Sequence, residues 1–318
     1  VHGVTLYHDN AISGGAVLAQ DYDADLQQIR DLGANALRSA VMPHAQYLYD
    51  RCDEQGLLVW VDSPLHRSSF LGDVAYFATP QFEQNGIQQL QEIIAQNYNH
   101  PSVVMWGIFS RLWMRGDDVT PYLRRLNDTA HAMDRSRPTV ACSDQNGGLN
   151  FITDQTRFHE EYVKNLQNDS LFWGTWINNM FDYGSARRPY GINGEGLVTI
   201  DRRERKDAYY LYRALWNERK PTLHIVDKRR SLRDRNRQAF SVYSSVGAPT
   251  LFVGADTVAM TQYAACQYRS DSVEIQGIVQ VKAVAGEQCD SVTLRVGNVL
   301  KPKRQPVPRR TAGPQQTN

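Results

Sequence analysis

The sequence predicts an α/β fold: a (β/α)8 barrel of the TIM type, shortened or altered around its sixth and seventh strands, followed by an all-β, immunoglobulin-like sandwich. Three observations predict it. Short apolar runs recur through the first 219 residues, each followed by an amphipathic stretch that ends in glycine or proline. The runs are apolar at almost every position, as strands covered on both faces must be. From Pro221 the pattern turns into short alternating segments separated by turn residues. A doubly wound sheet is the alternative for the first half.

Each element has its own signal. "GVTLYH" reads as a strand. "AQDYDADLQQIRDLG" is an amphipathic helix with Leu26, Ile29 and Leu32 on one stripe and Gly33 as its stop. "ALRSAVM" is the second strand, and "AQYLYDRCDEQG" the helix after it. "LLVWVDSPL" is the third strand, broken at Pro64. The long helix "TPQFEQNGIQQLQEIIAQNY" takes Thr79 as N-cap and Pro80 as first residue. "SVVMWGIF" is the fourth strand, "TPYLRRLNDTAHAMD" a helix and "TVACSD" the fifth strand. "LNFITD" begins a sixth that breaks off. The helix "QTRFHEEYVKNLQ", the strand "LFWGTWINNM" and the helix "KDAYYLYRALW" close this half. Six strands are clear and seven the most that can be counted, where a complete barrel needs eight. The divisions are residues 1–219 for the barrel, 220–300 for the β module and 301–318 for a basic, Pro-rich tail of disordered composition.

Totals exclude several functions. Lys and Arg number 35 against 34 Asp and Glu, so no excess positive charge marks a nucleic-acid binder. No run reaches the roughly 18 apolar residues of a membrane helix. Cys52, Cys142, Cys266 and Cys289 lack metal-ligand spacing. Cys266 and Cys289 either bridge or remain two free buried thiols. No motif implies a metal or an organic cofactor. The 16 Tyr and 6 Trp suit carbohydrate stacking as well as an ordinary core.

The most unusual stretch is "VVMWGIFSRLWMRG". A polar pair, Ser110-Arg111, closes a buried strand, the place where barrel enzymes keep catalytic groups. Trp113 lies two positions beyond it.

Through these motifs the chain resembles glycoside hydrolase family 2, the β-galactosidase and β-glucuronidase family, from Val1 to about Gly297. "HGVTLYHDN" resembles that family's first barrel strand, "DLGANALRSAVMPH" its second and "YDRCDEQGLLVWVDSPL" its third. "NHPSVVMWGIFSRLW" resembles the segment in which Asn-His-Pro-Ser leads through an apolar strand to Asn-Glu. "GTWINNMFDYGSARRPYGINGEGLVTIDRRERKDAYYLY" resembles the last strand and the Gly-Leu-Val-x-x-Asp-Arg segment after it. The resemblance implies retaining β-glycoside hydrolysis. In that chemistry two carboxylates about 5–5.5 Å apart act as acid/base and nucleophile. It also implies a carbohydrate ligand and a secreted or periplasmic setting.

The same resemblance marks departures. Arg111 stands where the acid/base Glu belongs, and arginine stays charged and cannot deliver a proton. Ser110 replaces the preceding Asn. The nucleophile's Glu-[Tyr/Phe]-Gly segment is missing between "FITD" and "FHEEY". Glu160 and Glu161, on the following helix, read as ordinary helix carboxylates. Val41-Met42 stand in place of His-Tyr, Tyr7 in place of a His, Asn178 in place of a Trp, and Glu195 in place of a Lys. Arg38, Asp62 and Asn193 match. The strand ends add His8, Asp9, Asp144 and Trp176 as pocket candidates.

Three readings are open. The first is an impaired or non-hydrolytic scaffold that binds a carbohydrate or another small molecule. The second is a pocket remodelled, by nature or by design, for a different ligand or reaction; there Asp62 is a base, Arg111 an anion clamp and Asn178 an orienting amide. The third is an active hydrolase from which residues are absent in this chain. Under all of them Arg111 pairs with Asp62 or a neighbouring acid as the simplest structural outcome. Exposed strand edges would favour a homo-oligomer.

Overall fold

The computed structural model describes residues 1–65, 76–110, 116–142, 154–166, 174–186 and 188–297. Arg111, Trp113, Asp144 and the "LNFIT" run lie outside the described residues.

The first half alternates as its apolar pattern demands. The elements are β1 (His2–Tyr7), α1 (Ala19–Leu32), β2 (Ala36–Ala40), α2 (Gln46–Gln55), β3 (Leu58–Asp62), α3 (Pro80–Asn97), β4 (Val103–Ser110), α4 (Thr120–Met133), β5 (Thr139–Cys142), α5 (Gln155–Leu166) and β6 (Thr175–Ile177). The strands form one parallel sheet in the order β5-β4-β3-β2-β1-β6. The chain's last strand of this sheet thus pairs with its first, as in a closing barrel. The result is a curled part-barrel of six strands, with β5 and β6 at its edges among the described residues.

Helices pack outside through their apolar stripes. α1 buries Tyr22, Leu26, Ile29 and Leu32, and its only buried charge is Asp25. Gly33 ends it at φ 92°, with its N–H on the carbonyls of Arg30 and Ile29. A Cβ there would also stand 2.6 Å from the Trp216 and Asn217 backbone. Glycine is therefore required twice over, by conformation and by close approach. At α3 the sequence expectation is corrected in part. Pro80 opens the helix, but the Thr79 side chain makes no capping bond. Instead the Thr79 carbonyl takes the Glu83 N–H, the first intrahelical bond.

After a small hairpin, β7 (Tyr183–Gly184) and β8 (Ile192–Asn193), comes α6 (Asp207–Trp216). The remaining strands are β9 (Leu223–Ile225), β10 (Leu232–Arg233), β11 (Arg237–Gln238), β12 (Ser241–Ser244), β13 (Thr250–Val253), β14 (Asp256–Val258), β15 (Met260–Ala264), β16 (Gln267–Ser270), β17 (Val273–Glu274), β18 (Ile278–Ala285) and β19 (Gln288–Val296). They form a five-stranded sheet, β10-β19-β18-β13-β14, and a four-stranded sheet, β15-β16-β12-β9, with a short β11-β17 pair. Ile225 and Val242 from one sheet meet Leu251, Val281 and Leu294 from the other in a single core. Strand alternation supplies those inward residues. Cys52, Cys266 and Cys289 are free thiols. The two-way expectation for Cys266 and Cys289 thus resolves to unbridged cysteines, although neither is fully buried: Cys266 is half-buried and Cys289 exposed. Among the described residues no helix is long and apolar enough to cross a membrane.

Candidate active site

The parallel register brings polar residues of adjacent strands to one end of the sheet. Arg38 of β2 lies beside Trp60 of β3, and Asp62 of β3 beside Gly107 of β4. Arg38 Nε and Nη2 donate to Asp62 Oδ2 at 2.9 and 2.5 Å. Nη2 also donates to Ser110 Oγ at 2.9 Å. Arg38 is 3% exposed and Asp62 1%, so this is an ion pair sealed from water. The guanidinium lies 4.5 Å from the Trp60 ring centroid, a favourable place for a desolvated cation. Trp60 meets Trp176 edge-on at 5.6 Å.

Both guanidinium bonds fall on one carboxylate oxygen. Asp62 Oδ1 is buried and takes no bond from Arg38; the Trp60 indole N–H is its nearby donor. Burial pushes the Asp62 carboxyl up to about 6, against the pull of Arg38. A buried carboxyl shifted toward neutrality is the kind of group that acid–base sites contain.

A second group gathers at the ends of β1 and β6. Tyr7 stacks on Tyr183 with centroids 4.0 Å apart, and its hydroxyl reaches Asn178 Oδ1 at 3.4 Å. His8 Nδ1 is 2.6 Å from the Tyr22 hydroxyl, and its ring stands edge-on to His44 at 5.2 Å. His44 is enclosed, its Nε2 3.3 Å from the Ala40 carbonyl, and burial holds it neutral, down to about 3. The Asp9 carboxylate accepts the Gly184 N–H, and its carbonyl accepts Arg202 Nη2 at 2.7 Å. Non-proline cis peptides join Ala40 to Val41 and Asn178 to Asn179, one at the end of each of β2 and β6.

The remaining candidates separate. Val41 is half-buried and Met42 exposed. Asn193 donates to the Tyr183 hydroxyl at 3.2 Å and so borders the Tyr7 group. The Glu195 carboxylate turns outward to Arg188. Asp62 takes Arg38 as its partner; the expected pairing of Arg111 with Asp62 or a neighbouring acid lies outside the described residues. Glu160 accepts the Tyr243 and Tyr263 hydroxyls at 2.8 and 3.1 Å; it ties α5 to the β module.

Sequence reasoning overlooked several of these contacts. Lys206 Nζ donates to Asp182 Oδ1 at 2.6 Å and to the Gly194 carbonyl at 2.8 Å, bracing the loop after β8. Burial pulls Lys206 down, with Asp182 opposing. A lysine directly before the apolar helix "DAYYLYRALW" was the available signal. His44 and Tyr22 gave none beyond their types. Asp50, Asp53 and His100 form a cluster of metal-type ligands on the helix side. Asp53 is already engaged there by the Ser102 N–H at 2.8 Å and by His100 at 2.6 Å, so the cluster is accounted for as a brace.

Comparison with known proteins points to one group. Residues 1–155 match the family described as glycosyl hydrolases family 2, TIM barrel domain. A β-glucuronidase of Bacteroides fragilis is 32% identical over 323 aligned positions, covering 80% of this chain and 46% of that protein. A β-galactosidase of Thermoanaerobacter pseudethanolicus is 33% identical over 154 positions, 48% of this chain and 18% of that one. Among solved structures, an FMN-binding β-glucuronidase from Facaelibacterium prausnitzii L2-6 superposes with a TM-score of 0.81 at 26% identity, covering 93% of this chain and 56% of that one. A Parabacteroides merdae β-glucuronidase gives 0.79 at 20% identity, covering 93% and 48%. The chain spans about half the length of the B. fragilis relative.

Proposed function

The barrel half of this chain belongs to the TIM barrel domain family of family 2 glycosyl hydrolases, and from that premise we propose a β-glycosidase scaffold that binds a carbohydrate but is impaired in hydrolysis. The buried Arg38–Asp62–Ser110 group carries this reading. At the end of β4, where the resemblance puts an Asn-Glu pair, Ser110 is held by Arg38 and Arg111 comes next in the chain. Each carboxylate described near the strand ends is engaged. Asp62 is held by Arg38, Asp9 by the Gly184 N–H and Asp182 by Lys206. Double displacement needs one carboxylate free to attack and one acid free to protonate the leaving group. Sugar binding asks less: aromatic faces such as Tyr7 and Trp176 and orienting amides such as Asn178 and Asn193 suffice. In this reading residues 220–300 are an immunoglobulin-like accessory sandwich, and no metal or organic cofactor is needed.

The test is an aryl β-glucuronide and β-galactoside panel run beside thermal shift with glucuronate and galactose. The expected result is turnover near background with a sugar-dependent rise in the unfolding midpoint. Robust turnover that survives Asp62→Asn would overturn the reading.

One observation favours a second reading, a pocket remodelled for other chemistry. Arg38 engages only one Asp62 oxygen, and burial pushes the carboxyl up to about 6. Asp62 would then be a proton carrier beside the fixed positive charge of Arg38. Its mark is an activity with a pH dependence near that value, abolished by Asp62→Asn.

A further inference from the structure

On the helix side of the barrel, α1, α2 and α6 enclose an open groove of about 1170 Å³ with a strongly one-sided charge. Its lining holds eight Lys and Arg but only two acids, Asp23 and Asp31, in a chain whose net charge is +1. Acids beside the groove neutralise some of these cations. Asp25 holds Arg202, Glu54 and Asp23 hold Arg51, and Asp201 lies 3.9 Å from Arg203. The surplus sits at the other end. Arg205, Arg213 and Lys220 share the single carboxylate of Asp31, at 3.4, 3.8 and 2.7 Å. One carboxylate offsets one of the three. Among the described residues no carboxylate lies within ion-pair distance of Arg30 or Arg219. Arg30 reaches only the neutral Gln55, at 3.5 Å.

The groove has direction. Arg202, at one end, bonds the Asp9 carbonyl just past β1, on the side of the candidate site. Lys220 and Asn217, at the other, bond Asp31 near the end of α1. The stretch of α1 that lines the groove, from Asp23 to Asp31, rises about 12 Å. Amides, including Gln27, Gln28, Gln55 and Asn217, are interspersed among the cations. Gln28 Oε1 is buried there without a partner. Guanidinium groups that match carboxylate or sulfate, set among amides that match hydroxyls, suit an acidic sugar chain. Single-stranded nucleic acid needs ring faces for its bases. The groove's one aromatic, Tyr210, is stacked on His224 at 3.9 Å and has Lys228 over its ring.

We propose that this groove is a docking site for an acidic polysaccharide, one bearing carboxylate or sulfate groups. It is separate from the strand-end site and does not depend on the hydrolysis reading, because it is scored by binding alone.

The full chain is titrated at low salt with dextran sulfate, polygalacturonate, neutral dextran, a single-stranded oligothymidylate and sodium sulfate. Both acidic polysaccharides bind, neutral dextran does not, and binding fades as salt shortens the screening length. The triple variant Arg30→Gln, Arg219→Gln, Lys220→Gln changes exposed side chains and binds about tenfold more weakly with an unchanged unfolding midpoint. Glu54→Gln removes one of the two carboxylates on Arg51, leaving Asp23, and tightens binding, a gain that a damaged fold cannot mimic. Equal binding of neutral dextran, tighter binding of the oligonucleotide, binding of sulfate ion alone, or unchanged affinity in the triple variant each overturns the proposal.

Discussion

Arg38 directs two donors at the same oxygen of Asp62, at 2.9 and 2.5 Å, and leaves the second oxygen to the Trp60 indole. The guanidinium is therefore engaged with one carboxylate oxygen only. Breaking a buried pair strands a charge in low dielectric, whereas replacing both partners removes the desolvation cost as well. Arg38→Met alone is expected to destabilise the fold by about 3–5 kcal/mol in urea unfolding. Arg38→Met with Asp62→Leu should recover a large part of that loss. Additive losses in the double-mutant cycle would show that the pair is not coupled.

The Asp62 carboxyl also sets a pH dependence of unusual sign. Its folded-state pKa, about 6, lies above the ordinary 3.8. Between those values the folded chain keeps a proton that the unfolded chain has released. Asp62 thus contributes stability that is fully present below about pH 3.8 and lost as pH rises through about 6. The contribution is on the order of 3 kcal/mol, at 1.36 kcal/mol per unit. The difference in unfolding free energy between this protein and Asp62→Asn should shift against the native residue from pH 4 to pH 6 and level off above. A flat difference would refute the assignment.

Two enclosed histidines act in the opposite direction. His44 and His159 are both held down to about 3, mainly by burial, with Lys206 adding to the effect at His159. Their stability contribution is present above the unfolded value of about 6.5 and falls away as pH drops toward 3. His159 lies 2.9 Å from the Tyr212 hydroxyl, between α5 and α6. His159→Gln keeps a polar partner for that hydroxyl and carries no titrating group. The variant should lose less stability than the native protein on going from pH 7 to pH 5. An equal loss would place the acid sensitivity elsewhere.

Much of this fold was legible because each β/α unit carries its own signals. Apolar runs gave β1 to β5, and Gly33 and Gly56 end α1 and α2 at φ 92° and 67°. The six clear strands are the six that form the sheet among the described residues. The candidate site was less legible, since it depends on sheet register. Arg38, Asp62 and Ser110 are far apart in sequence, with Arg38 and Asp62 24 positions apart and Arg38 and Ser110 72, and nothing local says which oxygen faces which donor. Lys206 and Asp182, 24 residues apart, meet only because the hairpin folds back on α6. Register likewise gives Asp62 to Arg38, a pairing that nothing in the sequence alone singles out.

Gly107 gives that register its tolerance. A Cβ at this position would stand 2.3 Å from Asp62 Oδ1 and 2.4 Å from Trp60 Nε1. Neither neighbour can retreat easily. Asp62 is tied to Arg38, and Trp60 is held between that guanidinium and Trp176. Overpacking of this kind typically costs about 1–3 kcal/mol. Gly107→Ala is therefore expected to lower stability by about that amount and to shift the Asp62 titration, because the methyl group displaces the carboxylate from its partner. Gly194→Ala, where nothing lies within 4 Å and the backbone is not left-handed, is the control for an added methyl group. If the two variants lose equal stability and leave the Asp62 titration unmoved, contact at Gly107 is not what positions the carboxylate.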